Sequence, residues 1–419
     1  MSELSEIITL GCRLNLAESE VMRRLSREYG CSDAVVVNTC AVTNEAVRTA
    51  RKRIRRAKRE RPGARIIVTG CAAQTEPETF AKMPEVAAVI GNQEKLDPAQ
   101  WRMLAAEDGE LLQVNDIMSA RETAGHLIDG YGDRARAFVQ IQNGCDHRCT
   151  FCIIPFGRGN SRSAPVEEVI EQTRRLVDAG HKEVVLTGVD ITSYGADLED
   201  APSLGRLVSQ LLDAAPDLHR LRLSSIDGAE IDEELLDRIT GDERVAPHLH
   251  LSLQSGDNLI LKRMKRRHTR EQAITLCEAV RARRPEVAFG ADIIAGFPTE
   301  TDAMFERSLN IVEEAGLHYL HVFPYSPRKG TPAARMPQVP RDAVKERARR
   351  LRQAGTKSLR RFLDHQIGKT FTAIQESGGR ARLGNYAPVI FAGEDTPVGE
   401  TVTVKVTDRS GDALIGEKV

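Results

Sequence analysis

Apolar runs and helical spacing alternate along the first hundred residues. Ile7-Ile8-Thr9-Leu10 reads as a strand, and apolar positions spaced for a helix follow from Leu14 to Tyr29. Ala34-Val35-Val36-Val37 predicts a second strand, a basic helix runs from Glu45 to Glu60, and Arg65-Ile66-Ile67-Val68-Thr69 predicts a third. A shorter helix and the run Ala87-Ala88-Val89-Ile90 complete the series. Such alternation predicts a parallel sheet flanked by helices. Six more strand-like runs follow, Phe138 to Gln142, Glu183 to Thr187, Leu221 to Ser225, Leu249 to Leu253, Gly290 to Ala295 and Tyr319 to Phe323. Helical patterns such as Pro165 to Ala179 and Thr269 to Arg284 fill the gaps, which predicts an incomplete (βα)6 barrel. From Lys369 the runs shorten: Thr370 to Gln375, Ala387 to Ala392 and Thr401 to Val406 are separated by Gly and Pro, as in a small antiparallel β-barrel. The expected fold class is α/β in three domains: a parallel-sheet α/β domain over 1–115, the barrel over 131–362 and the small β-barrel over 365–419.

The cysteines add chemistry to this frame. Cys145, Cys149 and Cys152 form C-x3-C-x2-C. Three thiolates this close suit an iron–sulfur cluster, with one iron left open, better than a zinc site or three buried thiols. Zinc sites usually add a second close pair downstream, and none is present. Cys12, Cys40 and Cys71 each follow a predicted strand by one to three residues. Parallel strands bring their C-terminal ends to one edge, so these three thiols are expected to converge. A lone Cys after a strand is ordinarily a small buried hydrophobe; three in equivalent places point to ligands. Cys31 and Cys277 lack this placement and read as structural. The sheet and the barrel are each expected to build their own cysteine site.

Active sites in (βα) barrels lie at the C-terminal strand ends. Those ends carry Gly188 and Asp190 after the second strand, Ser225 after the third, Gln254 after the fourth and Gly296 after the fifth. Asp190, Ser225 and Gln254 are equipped to bond an amine, a carboxylate or a ribose. Glycine allows close approach to a ligand.

Charge and composition narrow the setting. Eight cysteines in a long chain with an acidic N-terminus and no signal-peptide pattern point to metal or redox use in a reducing cytoplasm. No apolar run is long enough for a membrane span. The net charge of −1 hides basic blocks: nine Lys/Arg fall in Arg48 to Arg61, and others crowd Lys262 to Arg267 and Arg341 to Arg361. RNA phosphates suit such surfaces. The tail itself, from Gln366 on, is not basic, with six Lys/Arg against seven Asp/Glu.

The triplet, with Phe151 before its last Cys, resembles the radical S-adenosylmethionine (SAM) superfamily. All six cysteines together resemble its methylthiotransferase family, through Leu10-Gly11-Cys12-Arg13-Leu14-Asn15, Val37-Asn38-Thr39-Cys40, Thr69-Gly70-Cys71-Ala72-Ala73-Gln74, Leu253-Gln254-Ser255-Gly256 and Ile294-Ala295-Gly296-Phe297-Pro298. The resemblance implies two [4Fe–4S] clusters. One, on Cys145, Cys149 and Cys152, binds SAM and yields a 5′-deoxyadenosyl radical. The other, on Cys12, Cys40 and Cys71, holds or supplies sulfur. It places SAM contacts at Phe151, Gly188, Asp190, Ser225, Gln254 and Gly296, makes the tail a TRAM-like domain, and implies an electron donor such as flavodoxin or ferredoxin. Family members act on isopentenyladenosine in tRNA, on threonylcarbamoyladenosine in tRNA, or on a ribosomal-protein aspartate. The stretches Glu183 to Gly195 and His321 to Thr331 are most similar to the threonylcarbamoyladenosine members. The expected reaction is therefore methylthiolation at C2 of N6-threonylcarbamoyladenosine, position 37 of tRNA, presented by the anticodon stem–loop. A non-enzymatic iron–sulfur RNA-binding or redox-sensing protein is the other class; ligand-type residues at successive strand ends argue against it. Thr299 stands where the family often carries Gly.

Overall fold

The structure, a computed structural model, describes residues 6–31, 33–106, 112–121, 130–132, 134–392 and 396–419. The acidic segment Met1 to Ser5 lies outside them. The described residues fall into two compact units. One joins the N-terminal residues, as far as 121, to Gln142–Ala164 and Ser326–Ala334; the other holds 130–141, Pro165–Tyr325 and Arg335–Val419.

The first unit is built on a five-stranded, wholly parallel sheet. Its strands Glu6–Thr9, Ala34–Thr39, Arg65–Gly70, Ala88–Ile90 and Leu112–Gln113 lie side by side in chain order. Every residue of Ala34–Thr39 is buried, as expected for a strand covered on both faces. Val35 and Val37 pack one way with Val47, Ala50 and Ile54 of the helix Asn44–Glu60. Val36 packs the other way with Met22, Leu25 and Trp101. Thr43 caps the basic helix by accepting from the Ala46 amide. The helix Arg13–Glu28 has no side-chain cap, and the residue at that position is Cys12.

The second unit carries the partial barrel. Ala137–Gln140, Glu183–Thr187 and Arg220–Leu223 pair in parallel, then Ser225–Ile226, His248–Gln254, Ala288–Ala295 and Leu317–Pro324. The third strand is thus split at Ser224, one half pairing each way. Where these strands begin, Glu183 accepts from Arg222 Nε at 2.7 Å and from Arg220 Nη1 at 3.2 Å. Burial alone would raise this carboxyl, but the two guanidinium groups hold it at about 2.

The tail is a closed five-stranded barrel whose strands include Thr370–Gln375, Pro388–Ala392 and Thr401–Ser410. Four of its pairings are antiparallel, and Pro388–Ala392 runs parallel to Ala413–Lys418. The stretch Leu383 to Tyr386 has a docking role. Tyr386 stacks on His248 at 4.8 Å, with Arg382 and Arg222 over its ring at 4.8 and 5.1 Å. A Cβ on Gly384 would lie 3.1 Å from Pro247. No helix among the described residues is long and apolar enough to cross a membrane.

Candidate active site

Three βα turns of the first unit carry Cys12, Cys40 and Cys71, as the parallel topology requires. Two glycines let these turns close on one another. At Gly11, φ is 99° and a Cβ would sit 2.7 Å from Cys40 Cβ and 3.1 Å from its Sγ. At Gly70, φ is 94° and a Cβ would sit 2.4 Å from the backbone N and O of Thr39. The Asn15 amide ties the first two turns, donating to Leu10 O at 2.7 Å and Thr39 O at 3.1 Å. The thiols sense one another. Burial, then the neighbouring Cys71 and Cys12, pushes Cys40 up to about 11, and burial chiefly raises Cys12 as well. Cys12 and Cys40 thus resist losing their protons until a metal competes for the sulfurs. Cys31 and Cys277 sit in the core.

The second triplet lies in a loop closed at its base by the two-residue ladder Gln142–Asn143 with Arg162–Ser163. The Cys152 amide donates to Cys149 O at 3.0 Å and the Cys145 amide to Gly159 O at 3.1 Å, folding three half-exposed cysteines into one turn. Gly144, with φ 74°, passes so close to Asn160 that a Cβ would lie 1.8 Å from its carbonyl oxygen. Ala333 N donates to Thr150 O at 2.9 Å, so the segment Ser326–Ala334 braces the same loop. Arg328, almost wholly buried, donates to Asn44 Oδ1 at 2.6 Å and Glu76 Oε1 at 2.7 Å. Each set of three thiols suits a cubane with one iron left open.

The expectation of two separate sites is corrected here. The triplet loop packs with the N-terminal sheet in one unit, and Arg158 joins them. Its side chain is 2% exposed. Nε donates to Cys71 Sγ at 3.2 Å, and Nη2 to Glu18 Oε2 at 3.0 Å and to Asn15 Oδ1. Nη1 reaches Glu18 Oε1 and Asn143 Oδ1. Lys95 Nζ completes the group, 2.5 Å from Glu18 Oε2 and 2.7 Å from Asn92 Oδ1, and Asn92 Nδ2 lies 3.7 Å from Cys71 Sγ. Burial disfavours charge throughout and lowers Lys95. Arg158 and Lys95 nevertheless hold Glu18 below its usual value, and Cys71, Glu18 and Cys12 together raise Arg158. Sequence reasoning missed Arg158, Glu18 and Lys95. The one signal was an Arg between two glycines, Gly157 and Gly159, just past the triplet.

The strand-end residues of the barrel fall into distinct roles. Gln254, with φ 71°, and Ser225 are half-buried, and their side chains make no hydrogen bond among the described residues. Asp190 accepts from Ser193 Oγ at 2.9 Å and Thr192 Oγ1 at 3.2 Å, so it also holds its own turn. Gly188 is half-buried beside it. Gly296, with φ 74°, lies against Val344: a Cβ would come within 2.5 Å of Val344 Cγ2. Phe151 belongs to the triplet loop of the other unit. Thr299 takes φ 69°, which explains the family's frequent Gly at this place; here Arg263 Nη1 donates to its Oγ1 at 2.8 Å. Sequence reasoning also missed a polar trio on three adjacent barrel strands. Asp292 Oδ1 lies 3.0 Å from His250 Nε2 and 3.2 Å from His321 Nδ1. Burial opposes ionisation of Asp292, and the two histidines overturn it to about 2. Gly290 makes the room, since a Cβ there would meet His250 Nδ1 at 2.3 Å.

Comparison with known proteins agrees with this geometry. Residues 139–312 match the radical SAM superfamily, and residues 5–91 match the uncharacterized protein family UPF0004. Threonylcarbamoyladenosine tRNA methylthiotransferase MtaB of Rickettsia prowazekii is 52% identical over 92% of this chain and 90% of its own length. The protein of that name from Bacillus subtilis is 36% identical over 95% and 92%. The chain belongs to the radical SAM methylthiotransferase family. A tRNA-2-methylthio-N(6)-dimethylallyladenosine synthase of Erythrobacter litoralis is 33% identical over 98% of this chain and 96% of its own. The radical SAM methyltransferase TsrM from Kitasatospora setae shares the fold, with a TM-score of 0.53 at 15% identity over 77% of this chain and 67% of its own.

The basic blocks of this methylthiotransferase are not equivalent. In the helix Arg341–Asp364, Arg347 is buried against Glu300 and Asp302, and Arg350 and Arg361 pair with Glu306 and Glu313. Much of that charge is structural, which the sequence count did not reveal. An open cavity of about 610 Å³ is lined by Arg349, Arg352, Thr356, Lys357 and Arg360; Arg349 pairs with Glu346 and Arg360 with Asp412, and Arg352 and Lys357 form no ion pair with a carboxylate among the described residues. On Asn44–Glu60, Lys52, Arg53 and Arg59 are exposed and form no ion pair with a carboxylate among the described residues.

Proposed function

We propose that this chain methylthiolates C2 of N6-threonylcarbamoyladenosine at position 37 of tRNA. The observation that carries the reading is that two three-cysteine sets, each suited to one cubane, belong to one compact unit in which Arg158 of the triplet loop contacts Cys71. Cys145, Cys149 and Cys152 would hold the cluster that binds SAM, and Cys12, Cys40 and Cys71 the cluster associated with sulfur. When bound, these groups supply a 5′-deoxyadenosyl radical, a methyl group and sulfur. The residues of the chain bind and orient. Gln254 and Ser225 offer uncommitted polar atoms to SAM and Asp190 a half-buried carboxylate; Phe151, Gly188 and Gly296 are the other proposed contacts. His321, with its exposed ring fixed by Asp292, offers a donor to substrate. The base must be presented unpaired, as in an anticodon loop, with its phosphates on the basic surfaces. A flavodoxin or ferredoxin in the cytoplasm would deliver electrons.

The margin of identity supports threonylcarbamoyladenosine over isopentenyladenosine: 52% to the relative named for the first and 33% to the relative named for the second. The test supplies the purified, reconstituted enzyme with three substrates: tRNA bearing threonylcarbamoyladenosine, tRNA bearing isopentenyladenosine, and the ribosomal protein. Methylthio product on the first alone is expected; product on either of the others alone rejects the substrate choice. Replacing Cys145, Cys149 and Cys152 by Ala should leave about four irons of about eight and end 5′-deoxyadenosine formation. Continued formation would reject the SAM-binding assignment.

A further inference from the structure

We infer that Arg158 is a positioning residue for the sulfur-side cluster, compensating its charge through a hydrogen bond to Cys71. The inference rests on the proposal that Cys12, Cys40 and Cys71 hold a [4Fe–4S] cluster. Three observations carry it.

The first is contact. Arg158 Nε stands 3.2 Å from Cys71 Sγ. Its remaining contacts fix the guanidinium in one pose, with Glu18 across both terminal nitrogens and Asn15 and Asn143 beside them. A guanidinium is a permanent cation, so this donor points at the sulfur at any working pH.

The second is charge. Arg158 and Lys95 bring two positive charges, and Glu18 brings one negative charge, all within side chains at most 2% exposed. Asn15, Asn92 and Asn143, which also contact the two cations, are neutral. Lys95 uses its protons on Glu18 and Asn92. One positive charge is left over in a buried place, where an unbalanced charge costs several kcal/mol. A cubane core of charge +2 on three thiolates carries −1. The surplus and the deficit cancel. Without an anionic group at Cys71 this network has no electrostatic reason to be cationic.

The third is connection. Arg158 lies six residues past Cys152 in the triplet loop, while Cys71 begins a helix of the sheet. A Cβ added to Gly157 would sit 3.3 Å from Cys71 Cβ, so the two backbones pass in contact. The loop that carries one cysteine set therefore supplies an outer-sphere donor to the other. Donors to cluster sulfurs and nearby positive charge favour the reduced state. Removing Arg158 should make the sulfur-side cluster harder to reduce, and removing Glu18 should make it easier.

The test uses full-length protein with Cys145, Cys149 and Cys152 replaced by Ala, so that one cluster signal remains. Into it go Arg158→Gln, Arg158→Lys and Glu18→Gln. Iron is counted, folding is checked by circular dichroism, and the midpoint potential is read by EPR-monitored redox titration. For Arg158→Gln the reduction equilibrium should fall at least tenfold, about 59 mV for one electron. Arg158→Lys should stay within threefold of the parent, and Glu18→Gln should shift the opposite way. A Gln variant that folds but loses its iron, while the Lys variant keeps about four, also supports the inference. Equal potentials in all variants overturn it. So do shifts of one sign in both Gln variants, or loss of iron in the Lys and Gln variants alike, because each marks Arg158 as a mere strut. If the parent itself binds no iron, the cluster assignment fails instead.

Discussion

Gly70→Ala isolates the sulfur-side cysteines from everything else in the protein. Gly70 immediately precedes Cys71 and holds φ 94°, ψ −174°, a region that only glycine enters freely. Forcing alanine into it costs about 1–3 kcal/mol. The new methyl would also lie 2.4 Å from both N and O of Thr39. Those are backbone atoms of the neighbouring strand and cannot rotate aside, so overpacking adds about 1–3 kcal/mol. The sum of about 2–6 kcal/mol is a large share of a domain's 5–15 kcal/mol. The cheapest relief is to swing the Gly70–Cys71 turn away from Thr39, which draws Cys71 off Cys40. Gly63→Ala is the control: it sits in the same unit, and no atom lies within 4 Å of its added Cβ. Both variants are reconstituted anaerobically, assayed for iron and for reductive 5′-deoxyadenosine, and melted. Gly70→Ala should fall from about eight irons to about four, melt earlier, lose methylthio product and still cleave SAM. Gly63→Ala should match the parent. A Gly70→Ala protein with a full iron complement and an unchanged melting temperature would refute the argument that this glycine sets the cysteine geometry.

Two further predictions concern other parts of the molecule. Glu183 sits at about 2 in the folded state against 4.5 as its ordinary value, which corresponds to about 3 kcal/mol. That stability is present above pH 4.5 and is lost as pH falls towards 2, with about 2 kcal/mol gone by pH 3. Urea unfolding at pH 7 and pH 3 should show a smaller pH dependence in Glu183→Gln than in the parent, and an equal dependence would show that the carboxyl is not held by Arg220 and Arg222. On the surface, Arg352→Glu with Lys357→Glu reverses two charges lining the open cavity of the helix Arg341–Asp364. Binding of tRNA should weaken at every sequence and its salt slope should drop by about one per lost phosphate contact, with SAM cleavage unchanged; an unaltered slope would remove this face from the RNA footprint.

The strands were legible because their signal is local. Glu183–Thr187 and Thr370–Gln375 match their apolar runs residue for residue, and the barrel strands begin and end within two residues of theirs. Leu112–Gln113 was not legible, being two residues long. Nor were Arg380–Leu383, half of it arginine, and Ala413–Lys418, interrupted by Gly416 and ending in Glu417 and Lys418. Their assignment depends on pairing partners, not on their own composition. The candidate site divides the same way. Convergence of Cys12, Cys40 and Cys71 follows from topology alone, since parallel strands share an edge. The arginine beside them does not, because its partners Cys71 and Glu18 lie 87 and 140 positions away. A charge count along the helix Arg341–Asp364 could not separate the buried Arg347 from solvent-facing Lys357 for the same reason.

Residues flanking the cysteines acquire a physical meaning from this structure. In Val37-Asn38-Thr39-Cys40, Asn38 and Thr39 are fully buried polar side chains at a strand end. Asn38 Nδ2 donates to Asn15 O at 3.0 Å and to Ser19 Oγ at 3.2 Å. Thr39 Oγ1 donates to Thr69 O at 2.6 Å and accepts from Ala73 N at 3.2 Å. Thr69 Oγ1 in turn donates to Gly91 O at 3.1 Å, and Gln74 Oε1 accepts from Asn92 N at 2.8 Å. These bonds run sideways, from one βα turn to the next, and replace the water that turns at a sheet edge would otherwise need. Each cysteine is therefore mounted on a turn whose neighbours are fixed to it. Asn38 Oδ1 has no hydrogen-bond partner among the described residues, and the other bonds of the set tie the turns together. The rigidity serves the site: three sulfurs from three separate turns must meet one cluster face, and every ångström of slack among the turns would be paid again on assembly. The motif is thus a scaffold for placing thiols, and the chemistry is left to what the thiols hold.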